Sequence, residues 1–247
     1  MTYKDLLEMG ETIYYQTDRL TYYKNPVVSE RYFDNYLSYR SMPSLADLKK
    51  DLAYVAKEQQ DYPSHYAFLF FAENEELSTD MRVYLTDHHF SLEKHLIFTN
   101  ELAKLHLKER DISPVTIEQL SETSFSAYLA YKYQANLAYG ETYANQCKAD
   151  NEANLLTNGS TIYLAIKEGK IIGDITAWEC GDYIEMDDFS VDEAYRGRGI
   201  GTALQRKASQ GYKKVILISE EANRAMYEHQ GYQEVAYYWT ALKTSTR

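Results

Sequence analysis

The sequence predicts an α/β (α+β) protein in two parts. Strand-like runs alternate with stretches of helical periodicity along all 247 residues. Glycine is divided unevenly: only Gly10 precedes residue 140, and the other ten fall between Gly140 and Gly231. The third observation is a strand-like segment that runs into a glycine-rich loop and then into a helix, over 183–208. A loop that cradles phosphate needs glycines, because backbone amides must reach the ligand unobstructed, so any such loop belongs to the C-terminal half.

In the first half, Tyr14–Tyr23 is rich in Tyr and Thr and strand-like. Ser44–Lys57 carries the Leu45/Leu48/Leu52/Val55 spacing of an amphipathic helix. Tyr66–Ala72 and Met81–Leu85 read as buried strands. Leu105–Arg110 alternates like a strand, and helical stretches follow near Val115–Tyr133 and Tyr143–Leu155. Asn158-Gly159-Ser160 marks a turn before a hairpin, Thr161–Ile166 and Lys170–Trp178, closed at Lys167-Glu168-Gly169. A strand at Tyr183–Val191, the loop, a helix from Ile200, a strand at Lys214–Ile218, a last helix and final strands complete the chain.

The loop reads Arg196-Gly197-Arg198-Gly199-Ile200-Gly201-Thr202. Ile200, Ala203, Leu204 and Ala208 share one helical face after it, so unpaired amides and the positive end of a helix dipole converge at the loop and favour an anion. The dinucleotide fingerprint fails here, since its sixth position falls on Thr202 or Leu204 rather than Gly or Ala. The P-loop fails as well, because no Lys follows the glycines.

The segment resembles the pyrophosphate loop of the GNAT superfamily of acyl-CoA-dependent N-acyltransferases, Gln/Arg-x-x-Gly-x-Gly/Ala, through Arg196, Gly199 and Gly201. A second landmark, Met226-Tyr227-Glu228-His229-Gln230-Gly231-Tyr232, is similar to the family's Leu-Tyr-x-x-x-Gly-Phe. The order of elements from Leu105 to Ala241 also resembles that of the family. Two departures stand out: Glu193 replaces a frequent Pro, and Glu220 aligns with a frequent Asn, with Asn223 only four residues before Tyr227. The resemblance implies a mixed, mostly antiparallel central sheet flanked by helices over 104–247, preceded by a smaller α/β domain over 1–103. That first domain lacks any counterpart of the loop. It is either a degenerate copy of the same fold, as an ancestral duplication would leave, or an unrelated cap over the acceptor site.

By resemblance, residues 196–202 hold the pyrophosphate of acetyl-CoA, and strand amides near Phe189 and Val191 polarise the acetyl carbonyl. Glu185 or Asp187 assists deprotonation of a primary amine, and Tyr227 protonates the departing thiolate in direct transfer within a ternary complex. The chemistry suits the residue types: a phenol with a reference pKa near 10 is protonated at neutral pH, and the attacking amine must be neutral. Strict alternation places Glu185, Asp187, Phe189 and Val191 on one face of the strand, with Met186, Asp188 and Ser190 on the other. A non-catalytic acyl-CoA-binding sensor or interaction module shares the loop and differs in not needing Tyr227.

The net charge of −11 weighs against nonspecific binding to nucleic acid or anionic membranes. Its distribution is uneven: 171–195 holds eight acids and no base, and 196–214 holds six bases and no acid. These are either two solvated faces or matched surfaces for a cationic amine and for CoA phosphates. No apolar run reaches membrane-span length, and Cys147 and Cys180 are too few for a disulfide scaffold or a thiolate metal site, so a cytoplasmic enzyme without a metal is expected. His88 and His89 are adjacent, would point to opposite faces of a strand, and read as loop residues. The acceptor is left as a small-molecule or peptide amine, and oligomeric state is open, a homodimer included. Tyr outnumbers Phe and Trp together by 25 to 10 without a sequence-level reason.

Overall fold

The computed structural model describes residues 1–244, in two compact units: Met1–Leu96 together with the segment from Ala236 onward, and Ile97–Val235. The first begins with helix α1 (Tyr3–Leu7), strands β1 (Ile13–Gln16), β2 (Leu20–Tyr23) and β3 (Leu37–Tyr39), and helix α2 (Leu45–Glu58). Strand β4 (Tyr66–Phe70), helix α3 (Thr79–Asp87) and the long strand β5 (Ser91–Glu101) follow, the residues of β5 from Ile97 onward belonging to the second unit. The second unit holds β6 (Thr116–Gln119), α4 (Glu122–Asn136), α5 (Glu141–Asn154), and strands β7 (Thr161–Lys167), β8 (Lys170–Cys180) and β9 (Tyr183–Val191). It continues with α6 (Ile200–Ala208), β10 (Lys214–Glu220), α7 (Arg224–His229) and the start of β11 (Gln233–Thr244), whose later residues belong to the first unit.

Within the first unit the strand order is β1-β2-β3-β4-β11, antiparallel except for the β3/β4 pair. Within the second it is β5-β10-β9-β8-β7-β6, antiparallel from β6 to β9 and parallel between β9 and β10. The mixed, mostly antiparallel architecture flanked by helices is therefore the one expected. Its plan occurs twice. The series β1-β2-β3-α2-β4-α3-β5 and β7-β8-β9-α6-β10-α7-β11 have the same order, and in each the parallel pair is joined through a helix. The final strand of each series lies beside the parallel strand of the other: β11 pairs with β4, and β5 neighbours β10.

Several local readings change. Met81–Leu85 is helical, because Met81 and Leu85, four apart, are buried while Val83 between them is exposed, and Ser78 caps the helix at the Met81 amide. Leu105–Arg110 is irregular, and the strand sits instead at β6, inside the stretch read as helix. Ser121 starts α4 with a capping box, which sets its beginning later than Val115. Tyr14–Tyr23 is a hairpin, with Thr17 turning the chain through its hydroxyl and amide contacts at Leu20.

The tyrosine excess has a packing explanation in the first unit. Tyr36 stacks on Phe70 at 4.2 Å, Tyr39 lies nearly parallel to Phe71 at 5.6 Å, and Tyr23, Tyr32 and Tyr66 extend the ring contacts. Buried hydroxyls find acceptors: Tyr39 donates to Asp51 at 2.9 Å, Tyr66 to the Ser29 carbonyl at 2.7 Å and Tyr62 to Asn35 at 2.8 Å. Tyrosine supplies both the apolar ring and the polar tip these sites require.

Candidate active site

The site lies within the second unit, where β9 leaves its neighbour. The parallel ladder between β9 and β10 covers only Tyr183↔Lys214, Ile184↔Val215 and Glu185↔Ile216, yet both strands continue, β9 to Val191 and β10 to Glu220. The second half of β9 thus stays paired with β8 on one edge and leaves the ladder with β10 on the other. An extended ligand can pair with such an edge as an added strand.

At the end of β9 comes the glycine loop. Gly197 and Gly199 have φ of +76° and +88°, and Gly199 is the N-cap of α6. A left-handed backbone is nearly free for glycine and costs other residues about 1–2 kcal/mol. The helix ladder starts with the Ala203 amide on the Gly199 carbonyl at 3.0 Å, so the amides of residues 199–202 are the helix's first-turn donors. No acid lies in that first turn. Gly201 is small because the Phe189 ring reaches it: a Cβ there would sit 2.9 Å from Phe189 Cζ. Ile200 is buried and anchors the helix. Arg196 folds back, its Nε donating to the Val191 carbonyl at 2.9 Å, and Arg198 lies 5.5 Å from the Tyr195 ring. Together these amides and guanidinium groups can hold a pyrophosphate.

The strand faces differ from strict alternation. Asp188 has φ of +42°, and the pairing with β8 shifts between Thr176↔Asp187 and Asp174↔Ser190, so β9 carries a bulge. The extra residue reverses the alternation beyond it. Ser190, not Phe189 or Val191, continues the face of Glu185 and Asp187. Phe189 reaches α6 instead. The expectation that four residues, Glu185 to Val191, share one face is corrected on this ground.

On the Glu185–Asp187 face the Cys180 thiol contacts Glu185 Oε2 at 3.5 Å, and burial beside that carboxylate pushes the thiol up to about 12. Further along lies a network that sequence reading missed. Asp174, fully buried, accepts from Tyr128 at 2.9 Å, Ser190 at 2.5 Å and Lys132 at 3.3 Å. Lys132 also pairs with Asp188 at 2.7 Å. Burial raises the Asp174 carboxyl above its ordinary value despite the cation. Its sequence signal was available: a carboxylate inside the apolar run Ile171-Ile172-Gly173-Asp174-Ile175.

Tyr227 is half-buried on α7. Its ring lies 5.5 Å from both Phe98 and Tyr232, and its phenol is within hydrogen-bonding reach of Ser219, on the part of β10 beyond its ladder with β9. Burial raises its pKa above the ordinary phenol value. Asn223 donates to the same Ser219 hydroxyl at 3.2 Å. Lys214 with Asp182 joins the acid-rich and base-rich segments, while Lys132 neutralises Asp174 and Asp188 and Glu109 neutralises Arg206 from outside them. Among the described residues no group of three or more His, Cys, Asp or Glu is placed to hold a metal ion.

Residues 158–234 match the acetyltransferase (GNAT) domain family. The match falls within the second unit, on the residues that carry the glycine loop. Residues 1–97 match a domain of unknown function (DUF5613). Over 87 residues the chain is 33% identical to N-acetylaspartate synthetase of Xenopus tropicalis, covering 31% of this chain and 32% of that one. The match thus spans about a third of that relative's length. A functionally unknown conserved protein from Staphylococcus epidermidis ATCC 12228 has the same fold, with TM-score 0.85 and 22% identity over 98% of this chain and 97% of its own. The GCN5-related N-acetyltransferase from Kribbella flavida aligns at TM-score 0.62 and 13% identity, over 99% of this chain and 93% of its own. The matched residues include the glycine loop and the open strand edge described above. Among the described residues no helix is long and apolar enough to cross a membrane.

Proposed function

We propose that this chain transfers an acetyl group from acetyl-CoA to a primary amine, directly, within a ternary complex. The observation that carries the reading is the open edge of β9 running into the α6 amides. A pantetheine arm carries amides that can ladder onto residues 186–191, and its pyrophosphate then meets residues 196–202. Backbone amides of the bulged segment near Phe189 and Val191 would polarise the thioester carbonyl. Glu185 or Asp187, directly or through water, takes the ammonium proton, and the neutral amine attacks the carbonyl carbon. The C–S bond breaks as the amide forms, Tyr227 gives its proton to the departing thiolate, and the second proton shed by the nitrogen returns through water to restore the phenol. Asp187, on the same face of β9 as Glu185, favours a cationic acceptor. The first unit follows the same plan without the loop: residues 40–44, between β3 and α2, contain no glycine, Ser44 caps the helix at Asp47, and Asp47 places a negative charge in the first turn.

The test is thiol release from acetyl-CoA against a panel of polyamines, aminoglycosides, amino acids and peptide amines, with acetyl-CoA binding followed by thermal shift. Amine-dependent release with at least one acceptor is expected. Binding of acetyl-CoA with no release across the panel would make the chain an acyl-CoA-binding module instead.

A further inference from the structure

The first unit carries a groove of about 430 Å³ along one flank of α2. Positions 49, 52, 53, 56 and 59 line it, at spacings of three and four that put them on one stripe of the helix. Ala53 and Ala56 stand in the middle of that stripe, and their small side chains leave the space. Across the groove lie the beginning of β4, the end of α3, Phe90 and Lys243.

Three features of this wall point to one ligand chemistry. Its basic side chains are Lys49, Lys243, His65 and His88, with no carboxylate among the lining residues, in a chain of net charge −11. The body is aromatic: Tyr84 lies under Lys49 Nζ at 4.8 Å and Phe90 under Lys243 Nζ at 5.8 Å. In the wall, Gln59 is only 1% exposed; its Nε2 donates to the Tyr22 hydroxyl at 3.4 Å, and its Oε1 has no hydrogen-bond partner among the described residues. A buried acceptor left unpaired costs about 1–3 kcal/mol, a cost that a ligand donor removes.

We propose that this groove binds a small aromatic carboxylate bearing an N–H or O–H donor. The carboxylate meets Lys49 and Lys243, the ring lies against Tyr84 and Phe90 over the two alanines, and the donor reaches Gln59 Oε1. The site is separate from the GNAT loop and does not depend on acetyl transfer.

The experiment is calorimetric titration of the full chain with indole-3-acetate, which carries all three features. Indole-3-ethanol lacks the charge, and 1-methylindole-3-acetate lacks the donor. Saturable binding of indole-3-acetate is expected, about tenfold weaker for each of the two analogues, since tenfold corresponds to one lost interaction of ordinary strength. Ala53→Leu and Ala56→Leu fill the groove from partly solvent-facing helix positions; they are expected to abolish binding while melting temperature and acetyl-CoA binding are unchanged. Absence of saturation by indole-3-acetate, equal binding of all three probes, or undiminished binding by both filled variants would overturn the proposal.

Discussion

Replacing Tyr227 by Phe removes one oxygen atom from the site. The ring contacts with Phe98 and Tyr232, each at 5.5 Å, are retained, so the folding cost is that of the hydrogen bond with Ser219, about 0.5–1.5 kcal/mol. At roughly 2–4 °C per kcal/mol for a chain of this size, the melting temperature drops by only a few degrees. The chemical cost is larger. A positioned general acid contributes at least about 10²-fold, which is about 2.7 kcal/mol of barrier. Because burial holds the phenol above its ordinary pKa near 10, it stays protonated from about pH 6 to about pH 9. The Tyr227→Phe deficit in kcat is therefore expected to be constant across that range, with the Kd for CoA unchanged. Steady-state thiol release at saturating amine, together with equilibrium CoA binding, measures both. A kcat within threefold of the parent, or a loss confined to CoA binding, would refute the acid role.

Other expectations concern the loop, the buried network and alkaline stability. Gly197→Ala meets open space and carries only the left-handed strain of about 1–2 kcal/mol, whereas Gly199→Ala adds a Cβ 3.1 Å from Arg110 Cβ and Cδ. Denaturant titration should rank Gly199→Ala as the more destabilised, and CoA affinity should fall with it; equal costs would contradict the geometry. Lys132→Met leaves buried Asp174 without its cation and should cost about 3–5 kcal/mol near neutral pH. Since the Asp174 pKa is raised, its ionisation weakens the folded state as pH rises, so the deficit should shrink as pH falls and the carboxyl protonates; a pH-independent deficit in denaturant melts would refute this. Tyr62 and Tyr131 are pushed up to about 12 by burial, so their contribution is fully present below pH 10 and is lost as pH rises from there to about 12. Stability should fall across that interval in step with tyrosinate absorbance, and a flat profile would contradict it.

The glycine loop and the hairpin before it were legible because each rests on short-range chemistry: left-handed turns, alternation and a helix start; Tyr227 was singled out only through the family resemblance. The Met81–Leu85 error arose because five apolar-rich residues suit either period, and only burial at four-residue spacing separates them. The bulge at Asp188 was illegible for a different reason. Nothing in Met-Asp-Asp-Phe-Ser announces an extra residue; it follows from pairing with β8. One shifted register moved Ser190 onto the carboxylate face and turned Phe189 toward α6. The doubled plan of the chain stood as one of two alternatives, since the two halves share element order and differ in the very loop that made the second half recognisable.

The short β9–β10 ladder also has a thermodynamic meaning. Three residue pairs hold two strands that both run on, so part of this sheet's hydrogen-bonding capacity is left to solvent or a ligand. Residues 186–191 are held on one edge only, by β8, and amide exchange on their other edge reports occupancy directly. A molecule that completes the ladder adds RT ln(1 + [L]/Kd) to stability. The concentration of the molecule that fills this edge would thereby set the stability of the second unit.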